Sequence, residues 1–574
     1  MKNKKLFAVM ALMLMGTTAF SACGGTSTGK KPGGLGGLGG LGGEIVGGTV
    51  QDDTKANLSV ATFDGGVGRA WLEDAIARFE AKYAEATHFQ EGRKGVKISL
   101  DGDKNKYSGN KLAEGGSLNK DVYFTEAVEY YTFVNQGLVA DISDVVKASM
   151  SDFGETGTIE DKLDPSLKSF MTAKDGNYYM LPFYDGFYGL TYDVELFEEE
   201  GFYFDDDGDF IRLSDFDDVE AFNAAKSNGP DGKDGTYDDG LPATYQQMIQ
   251  LCDQIVAKSY TPFCYSGNYT GYVNRSFFAY AADYEGYDAF SVNNTFNGTI
   301  KVAKTITEIP GQIEANIETE TVAITEANGY MLQKQAGKYY ALKMQEALFG
   351  TTKYIGNTWN AKDYTAAQGD FIRSKYATEG RYAMLAEGVW WENEATATFE
   401  EMKTLKGESK QDRRFGFMPV PKVNAAAAGD QTMFSVNSSF GFINKNCENM
   451  ELAKEFMRFL HSDAEMSKFS AKTSIPRSLN YTVTEEDRAT ATYYGQTLID
   501  MRHNAKVVYP FSAANVVTNN QANFEKDTWL GVASISGKIR NNAFSAFKDD
   551  LATSLDFFNG LYTYQQSKWG SLIK

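Results

Sequence analysis

Residues 57–100 constrain the fold most, because they carry a strand, a glycine turn, a helix and a second strand in direct succession. Residues 57–63 alternate apolar and polar side chains, and residues 96–100 form a second short apolar run. Between them, residues 71–83 place apolar side chains at helical spacing. Two strands joined through a helix run parallel with a right-handed crossover. The sequence therefore predicts an α/β protein built on a parallel sheet.

Two polar positions follow predicted strands at one edge of this sheet. Asp64 opens the turn Asp-Gly-Gly-Val-Gly, and Glu126 ends the strand predicted over residues 121–126. Open α/β sheets bind ligands at the carboxyl ends of their strands. The turn lacks both the GxGxxG spacing and the lysine of a phosphate-binding loop, which excludes nucleotide binding there. Asp64 and Glu126 are therefore candidate ligand contacts.

Residues 181–193 are unusually rich in aromatic rings. The segment Leu-Pro-Phe-Tyr-Asp-Gly-Phe-Tyr-Gly-Leu-Thr-Tyr-Asp combines five rings with two glycines and a proline. Such a composition suits a strand that must pack and bend. Composition alone leaves two interpretations open: a kinked strand of the core, or a segment lined by ligand.

The N-terminus predicts export and a lipid anchor. Residues 1–23 combine a basic start, an apolar run too short to span a bilayer and a small-residue exit ending at Cys23. The Ser-Ala-Cys order resembles the lipobox of bacterial lipoproteins, although a signal peptide cleaved elsewhere stays an alternative. Residues 24–56 are glycine-rich and predict a flexible tether with a reach of roughly 30 Å. The expected location is the extracellular face of the cell membrane, touched only through the N-terminal lipid.

Charge and residue counts exclude several classes of function. The formal net charge of −20 argues against nucleic acid as a partner. His88, His461 and His503 stand too far apart for a zinc site or a Ser-His-Asp triad. Cys252 and Cys264 are close enough in sequence for a disulfide, but a reduced pair is equally open.

The ordered set of motifs resembles a known family. The segments FDGG…WLEDAIARFEAKY, DVYFTEAVEYYTFVNQGLVADISDVV and YYMLPFYDGFYGLTYDVELF resemble, in sequence and order, the extracellular solute-binding proteins of bacterial ABC sugar importers, the maltose-binding-like group. The resemblance implies two α/β lobes around a cleft, about three crossings between them, and no catalysis. It also implies an oligosaccharide ligand, the permease subunits of an importer as partners, and a monomer.

The resemblance also implies boundaries. Lobe 1 is expected over residues 57–185 with 440–505, and lobe 2 over residues 186–439 with 506–574. Acidic and polar insertions are expected at residues 200–240 and 291–337. The crossings fall at residues 181–193, 435–443 and 507–514.

Site residues follow from the same resemblance. Met384, Gly388 and Trp390 fit the family's Met-x-x-x-Gly-x-Trp segment, which presents its tryptophan to the sugar; Trp391 either shares that role or belongs to the core. Tyr269 and its neighbour Tyr272 suit stacking on sugar or core packing. The remaining expected ligand contacts lie in the crossings or beside these aromatic residues: Tyr184, Asp185, Tyr188, Asn274, Arg275, Ser438, Tyr509 and Phe511.

An acidic loop that is interrupted by glycines suggests a calcium-binding site. Residues 229–240 bring four carboxylates close together, and hard Ca²⁺ takes six to eight oxygen ligands. The glutamate that ends an EF-hand loop is missing, so a solvated acidic loop is the alternative. The candidate ligands of this structural calcium are Asp231, Asp234, Asp238 and Asp239, and no other cofactor is required.

Two other functions remain as alternatives at this stage. A cell-surface glycoside hydrolase would need paired carboxylates, for which Asp185 with Glu387 or Glu392 are candidates without a supporting spacing rule. A glycan-binding module without a transporter would use the same aromatic residues.

Overall fold

The computed structural model describes residues 51–355, 362–378, 380–436, 439–519, 524 and 529–573. The predicted signal and most of the predicted tether, including Cys23, lie outside these residues, as does Ser438. Residues Thr49–Lys574 form one compact unit. Within the described ranges no helix is both long and apolar enough to cross a membrane.

The first sheet forms as the opening segment predicts. Its two parallel pairings join Ala56–Thr62 to Val96–Gly102 and to Val122–Thr125. The antiparallel strand Phe440–Ile443 then pairs with Val122–Thr125 and with Met180–Pro182. Helix Ala70–Lys82 packs its buried face, which begins at Trp71, against this lobe. The sheet thus combines early strands with one that arrives from much later in the chain.

The helices around the first sheet make the first lobe. Most of these helices are short, because each ends at a glycine, at a turn or at a residue with an extended backbone conformation. Their bounds are Ala70–Lys82, Gly109–Gly115, Tyr130–Asn135, Ser143–Lys147, Pro165–Met171, Met450–Leu460, Asp463–Thr473 and Glu485–Thr490, with 3₁₀ turns at Ser151–Phe153 and Glu160–Lys162.

The second sheet forms the other lobe. Tyr382–Gly388 lies at its centre, antiparallel to Tyr188–Asp193 and parallel to Thr261–Tyr265. Phe415–Met418 pairs antiparallel on the outer side of Tyr188–Asp193. Asp193 ends its strand and caps the next helix by accepting a 3.2 Å hydrogen bond from the Leu196 backbone N–H. The Tyr-Asp-x-x-Leu-Phe segment thus begins this lobe, as the resemblance implies.

The helices of the second lobe include the longest of the described chain. Gly271–Thr295 is kinked at Gly286, whose φ of 74° is left-handed. The other helices are Val194–Glu200, Val219–Ala224, Tyr245–Ala257, Ala336–Phe349, Thr352–Ile355, Tyr364–Arg373, Trp391–Glu394, Thr396–Lys406, Tyr493–Asn504, Asn515–Asn519, Ala543–Lys548 and Ser554–Leu572, with 3₁₀ turns at Leu213–Asp215, Glu326–Lys334, Ser374–Tyr376 and Ala425–Ala427.

Four two-stranded sheets complete the fold of the described residues. The predicted polar insertion contains the hairpin Gly298–Glu308 with Ala315–Ile324, most of whose residues are exposed or half-buried. The predicted acidic insertion contains Tyr203–Phe204 with Phe210–Ile211. The other pairs are Thr432–Phe434 with Lys506–Val508 and Ala533–Ile535 with Lys538–Arg540.

The first two predicted crossings lie between the two sheets, and the third stays a prediction. Residues 183–187 join the two sheets directly, and Phe440–Ile443 brings the chain back to the first sheet. Helix Tyr493–Asn504, however, already belongs to the second lobe: the Phe417 backbone N–H donates a 3.1 Å hydrogen bond to Thr497 Oγ1. Beyond this helix the Phe511 ring stacks on Phe170 of the first lobe, so the boundary at residue 505 and the crossing at 507–514 stay predictions.

The two second-lobe cysteines, Cys252 and Cys264, are free thiols and both are buried. Cys264 Sγ donates to the Ala367 carbonyl at 3.3 Å. Burial raises the pKa of the Cys264 thiol to about 12. The two thiols are therefore unreactive core residues, and the disulfide left open by the sequence is not formed.

Candidate functional site

The first crossing meets the edge of the first sheet at Glu126. The Tyr184 hydroxyl donates a 2.6 Å hydrogen bond to Glu126 Oε1. Gly66 lies against the same carboxylate: a Cβ there would lie 2.6 Å from Glu126 Oε1, and its φ is +54°. Only glycine tolerates both constraints. The structure therefore brings together Tyr184, Glu126 and the turn that follows Asp64.

Asp64 lies at the rim of this region. Its Oδ2 is 3.7 Å from Arg69 Nε, and about a third of its side chain is exposed. A Cβ on Gly102 would lie 3.3 Å from Asp64 Oδ2, so the two predicted strand ends do converge. Asp64 stays a predicted ligand contact.

The second lobe contributes a wall of aromatic rings. The Tyr188 ring lies 5.1 Å from the Trp390 ring, edge to face, and 5.3 Å from the Tyr272 ring. Arg275 Nη1 donates a 3.0 Å hydrogen bond to the Tyr188 hydroxyl. The Trp390 ring covers Gly388, where a Cβ would lie 2.4 Å from the ring. The Gly-x-Trp spacing is thus explained, because any side chain at residue 388 would displace the indole.

Two more tyrosines extend this wall: Tyr269 precedes helix Gly271–Thr295, and Tyr364 begins helix Tyr364–Arg373. Tyr269 stacks on Tyr272 at 6.1 Å, and the Tyr364 ring lies 5.6 Å from Tyr269 and 6.5 Å from Tyr272. Tyr364 was not predicted, because it follows a loop and nothing near it in sequence marks a binding segment. The aromatic wall is hereafter the set Tyr188, Tyr269, Tyr272, Tyr364 and Trp390.

Two carboxylates next to the wall share one amide. Gln368 Nε2 donates to Glu394 Oε2 at 2.9 Å and lies 3.4 Å from Glu387 Oε2. Burial and, to a smaller extent, the charge of Glu126 from the other lobe raise the pKa of Glu394 to about 8. Burial and the charge of Glu394 hold the pKa of Glu387 well above its usual range. The carboxylate cluster is hereafter Glu126, Glu387 and Glu394.

The first-lobe carboxylate, Glu126, also has a raised pKa. Burial raises the pKa of Glu126 to about 7, although the Tyr184 hydroxyl that donates to it acts in the opposite direction. Sequence reasoning found Glu126 but missed Glu394 and Gln368, and it named Glu387 only for an alternative function. Their relation depends on packing helix Tyr364–Arg373 beside strand Tyr382–Gly388, which no local pattern reveals.

Trp391 does not belong to the site. Its side chain is fully buried and its ring centroid lies 5.2 to 6.0 Å from those of four other rings: Phe371, Phe399, Phe415 and Tyr494. No face is left for a ligand, so the predicted shared stacking role is wrong and its alternative, a core residue, is correct.

The prediction that Asn274 contacts the ligand is also wrong. Two residues along a helix turn the side chain by about 200°, so Asn274 points away from Tyr272. Its Nδ2 donates to Asn542 Oδ1 at 3.0 Å, and its Oδ1 accepts from the Phe544 backbone N–H at 3.2 Å. Asn274 thus ties the long helix to the C-terminal part of the second lobe.

Asp185 and Tyr509 serve the junction between the lobes. Asp185 is fully buried, and its Oδ2 accepts from Arg502 Nε at 2.9 Å. The Tyr509 hydroxyl lies 3.4 Å from the same oxygen. The predicted ligand contacts at Asp185 and Tyr509 are therefore wrong, because the Asp185 carboxylate already forms an ion pair with Arg502.

Phe511 likewise packs inside the protein. Its ring stacks on Phe170 at 4.9 Å and lies 5.8 Å from Phe440, and its side chain is buried. The prediction that it lines the cleft is wrong.

The carboxylate pairs considered for a glycoside hydrolase already have partners within the protein. Glu392 Oε2 accepts from Thr492 Oγ1 at 2.8 Å, and Asp185 accepts from Arg502.

The acidic loop is closed by its own hydrogen bonds. Asp238 Oδ2 accepts from the Asp231 backbone N–H at 3.0 Å, and Asp239 accepts from the N–H groups of Gly235 and Thr236. Asp234 is exposed. Among the described residues, no group of three or more His, Cys, Asp or Glu side chains is arranged to hold a metal ion. The calcium site stays a prediction without a formed set of ligands.

We expect removal of divalent cations with EDTA to leave the Tm unchanged, because this loop needs no ion to close. Differential scanning fluorimetry with and without EDTA, followed by added Ca²⁺, measures this. A fall in Tm that added Ca²⁺ reverses, and that Asp238→Asn abolishes, would contradict it.

Comparison with known proteins identifies the family and the fold. Residues 70–467 match the family described as bacterial extracellular solute-binding protein. A comparison with curated proteins gave no match. Among solved structures, RafE in complex with raffinose is 14% identical with a TM-score of 0.51, covering 91% of this chain and 100% of its own.

Two further structures show the same fold. The BlMnBP1 binding protein of an ABC transporter from Bifidobacterium animalis subsp. lactis, in complex with mannobiose, is 13% identical with a TM-score of 0.50, covering 91% of this chain and 95% of its own. A cyclic alpha-maltosyl-1,6-maltose binding protein from Arthrobacter globiformis is 12% identical with a TM-score of 0.50, covering 90% and 100%. Members of the matched family bind solutes and are not enzymes. This chain belongs to the bacterial extracellular solute-binding protein family.

Proposed function

We propose that this protein captures an oligosaccharide and delivers it to the permease subunits of an ABC importer. The observation that carries the proposal is the aromatic wall beside buried carboxylates, with residues from both lobes. Aromatic faces pack on the C–H surfaces of sugar rings, and carboxylate and amide groups bond their hydroxyls. The similar proteins named above bind raffinose, mannobiose and a cyclic maltosyl-maltose, which supports a carbohydrate here too.

The two lobes suggest how capture works. Glu126 and Tyr184 come from the first lobe and its crossing, whereas Trp390 and Glu394 come from the second lobe. A ligand that touches both sets gains more contacts when the lobes are closed, so it shifts the population toward the closed state. The closed form is then the one that the permease recognises.

The N-terminal sequence supports a membrane-tethered monomer for this task. Cleavage before Cys23 would leave a lipid-modified cysteine, and residues 24–56 would hold the binding unit away from the membrane. A tethered receptor stays close to the permease, which raises its effective concentration there.

Trp390→Ala tests the proposed site. We expect it to weaken binding of the oligosaccharide by about 10- to 100-fold, because burying one aromatic side chain against a ligand contributes about 1.5 to 3 kcal/mol. Isothermal titration calorimetry against a panel of oligosaccharides gives the affinity, and tryptophan fluorescence follows the indole.

Trp390→Phe is the matched control, since it keeps an aromatic face and should retain most of the affinity. Assays for released reducing ends should detect none. Unchanged affinity in Trp390→Ala would reject the stacking role, and failure of every oligosaccharide to bind the parent protein would reject the proposed function.

A further inference from the structure

The carboxylate cluster has no cation of its own. None of Glu126, Glu387 and Glu394 forms an ion pair with any lysine, arginine or histidine in the described part of the chain. Two positive charges lie nearby: Lys104 is exposed and lowers the pKa of Glu394 through space, and Arg275 donates to the Tyr188 hydroxyl at 3.0 Å. Two buried acids elsewhere in the second lobe are paired, since Asp193 lies 2.8 Å from Arg381 and Asp283 lies 2.8 Å from Lys422. The buried Asp238 instead accepts hydrogen bonds from the Asp231 backbone N–H and the Thr236 hydroxyl. The cluster differs from the two paired acids in bringing three carboxylates together without a cation.

A second observation points to a missing partner. Gln368 is fully buried, and its Oε1 has no hydrogen-bond partner among the described residues. Its Nε2 donates to Glu394 and lies 3.4 Å from Glu387 Oε2, so the vacant oxygen belongs to the amide that joins these two carboxylates. A buried acceptor without a donor costs about 1 to 3 kcal/mol. Two carboxylates and one amide oxygen form a set of acceptors, and a donor-rich ligand group completes it.

The rings next to these acceptors favour a positive charge. The Tyr188 ring lies edge to face with Trp390 at 5.1 Å and 5.3 Å from Tyr272. Aromatic faces attract an ammonium group, above all where water is excluded. A neutral hydroxyl would leave these carboxyl groups in the protonated form that burial favours, whereas a cation would stabilise their ionised form.

We propose that the ligand carries a protonated amine, as an amino-sugar unit does, and that this ammonium group binds Glu387, Glu394 and Gln368 Oε1 against the aromatic wall. The inference rests on the proposed function and names the chemical class of its ligand. The ammonium group supplies three N–H donors to a site that presents acceptors.

The position of Glu126 couples this charge to lobe closure. Glu126 belongs to the first lobe and Glu394 to the second, and the charge of Glu126 disfavours the ionised form of Glu394. An ammonium group between them turns this repulsion into attraction, so the closed state is favoured only when the cation is present. The other charged groups around the cluster do not replace it: Asp363 adds negative charge at Glu387, and Arg275 is directed to the Tyr188 hydroxyl.

The test compares matched ligands that differ only in the amine. Oligomers of glucosamine and of galactosamine, from monomer to tetramer, are titrated against the parent protein beside their N-acetylated counterparts at about pH 6, where a sugar amine is protonated. We expect the amine form of the recognised sugar to bind at least about tenfold more tightly, because hydrogen bonds to charged groups contribute about 1.5 to 3 kcal/mol.

Glu394→Gln then separates charge from shape. It should reduce the affinity for the amine form by about 10- to 100-fold and change that for the N-acetylated form by less than about threefold. Glu400→Gln, which neutralises an exposed carboxylate nearby in sequence, is the matched control and should change neither. The comparison in the parent protein remains decisive if Glu394→Gln fails to fold.

The outcomes distinguish this inference from the proposed function. Equal or tighter binding of the N-acetylated form, or of a neutral oligosaccharide, overturns the cationic ligand and leaves sugar binding intact. Binding of spermidine or choline with no binding of any glycan overturns both, and so does the absence of any binding.

Discussion

Trp391→Ala is expected to lower the free energy of unfolding by about 3 to 5 kcal/mol, the range observed when a large buried aromatic side chain is removed from a core. Trp391 is fully buried and its ring contacts those of Phe371 and Phe415 from two different elements of the second lobe. Removing the indole leaves a cavity that these rings cannot fill without moving the strand and helix that carry them. Urea denaturation followed by far-UV circular dichroism measures the change.

Trp390→Ala is the matched control, because the two tryptophans are adjacent. Trp390 is only half-buried and lies at the aromatic wall, so its loss should cost about 1 kcal/mol or less in stability. We thus expect opposite phenotypes, with stability lost at Trp391 and ligand affinity lost at Trp390. Two variants with the same loss of stability would contradict the assignment of Trp391 to the core.

Asp185→Asn is expected to destabilise the protein by about 3 to 5 kcal/mol, since removing one partner of a buried ion pair leaves the other charge uncompensated. Asp185 lies in the first crossing, and its Oδ2 accepts from Arg502 Nε at 2.9 Å. The pair joins the crossing to helix Tyr493–Asn504, which packs on the second sheet. Chemical denaturation measures the loss.

Two further variants make this result specific. Asp500→Asn removes the partner of Arg488 from the same helix, but that pair is about one-third exposed and should be worth less than about 1 kcal/mol. Asp185→Asn combined with Arg502→Met removes both charges and should recover part of the stability. Equal losses from Asp185→Asn and Asp500→Asn would show that the buried pair has no special role.

The aromatic segment at residues 181–193 shows how far local sequence reaches. Its bending residues and rings were open to two interpretations, and both describe part of it: Phe183 packs in the core, whereas Tyr184 and Tyr188 lie at the site. The order of motifs around it predicted its place as a crossing, which the two sheets confirm. The Gly-x-Trp segment was equally predictable from the sequence, because the Trp390 ring lies over Gly388 and leaves no room for a side chain there.

The sequence by itself determined the parallel opening sheet, helix Ala70–Lys82 and the family, because periodicity and motif order are local properties of the chain. Only the tertiary structure decided that Glu126, Glu387 and Glu394 share one site, that Asp185 is taken up by Arg502, and that Trp391 is core. The physical reason is that the charge and accessibility of a side chain depend on what packs around it. Glu126 and Glu394 are 268 positions apart in the chain, and only folding brings their charges within reach of each other.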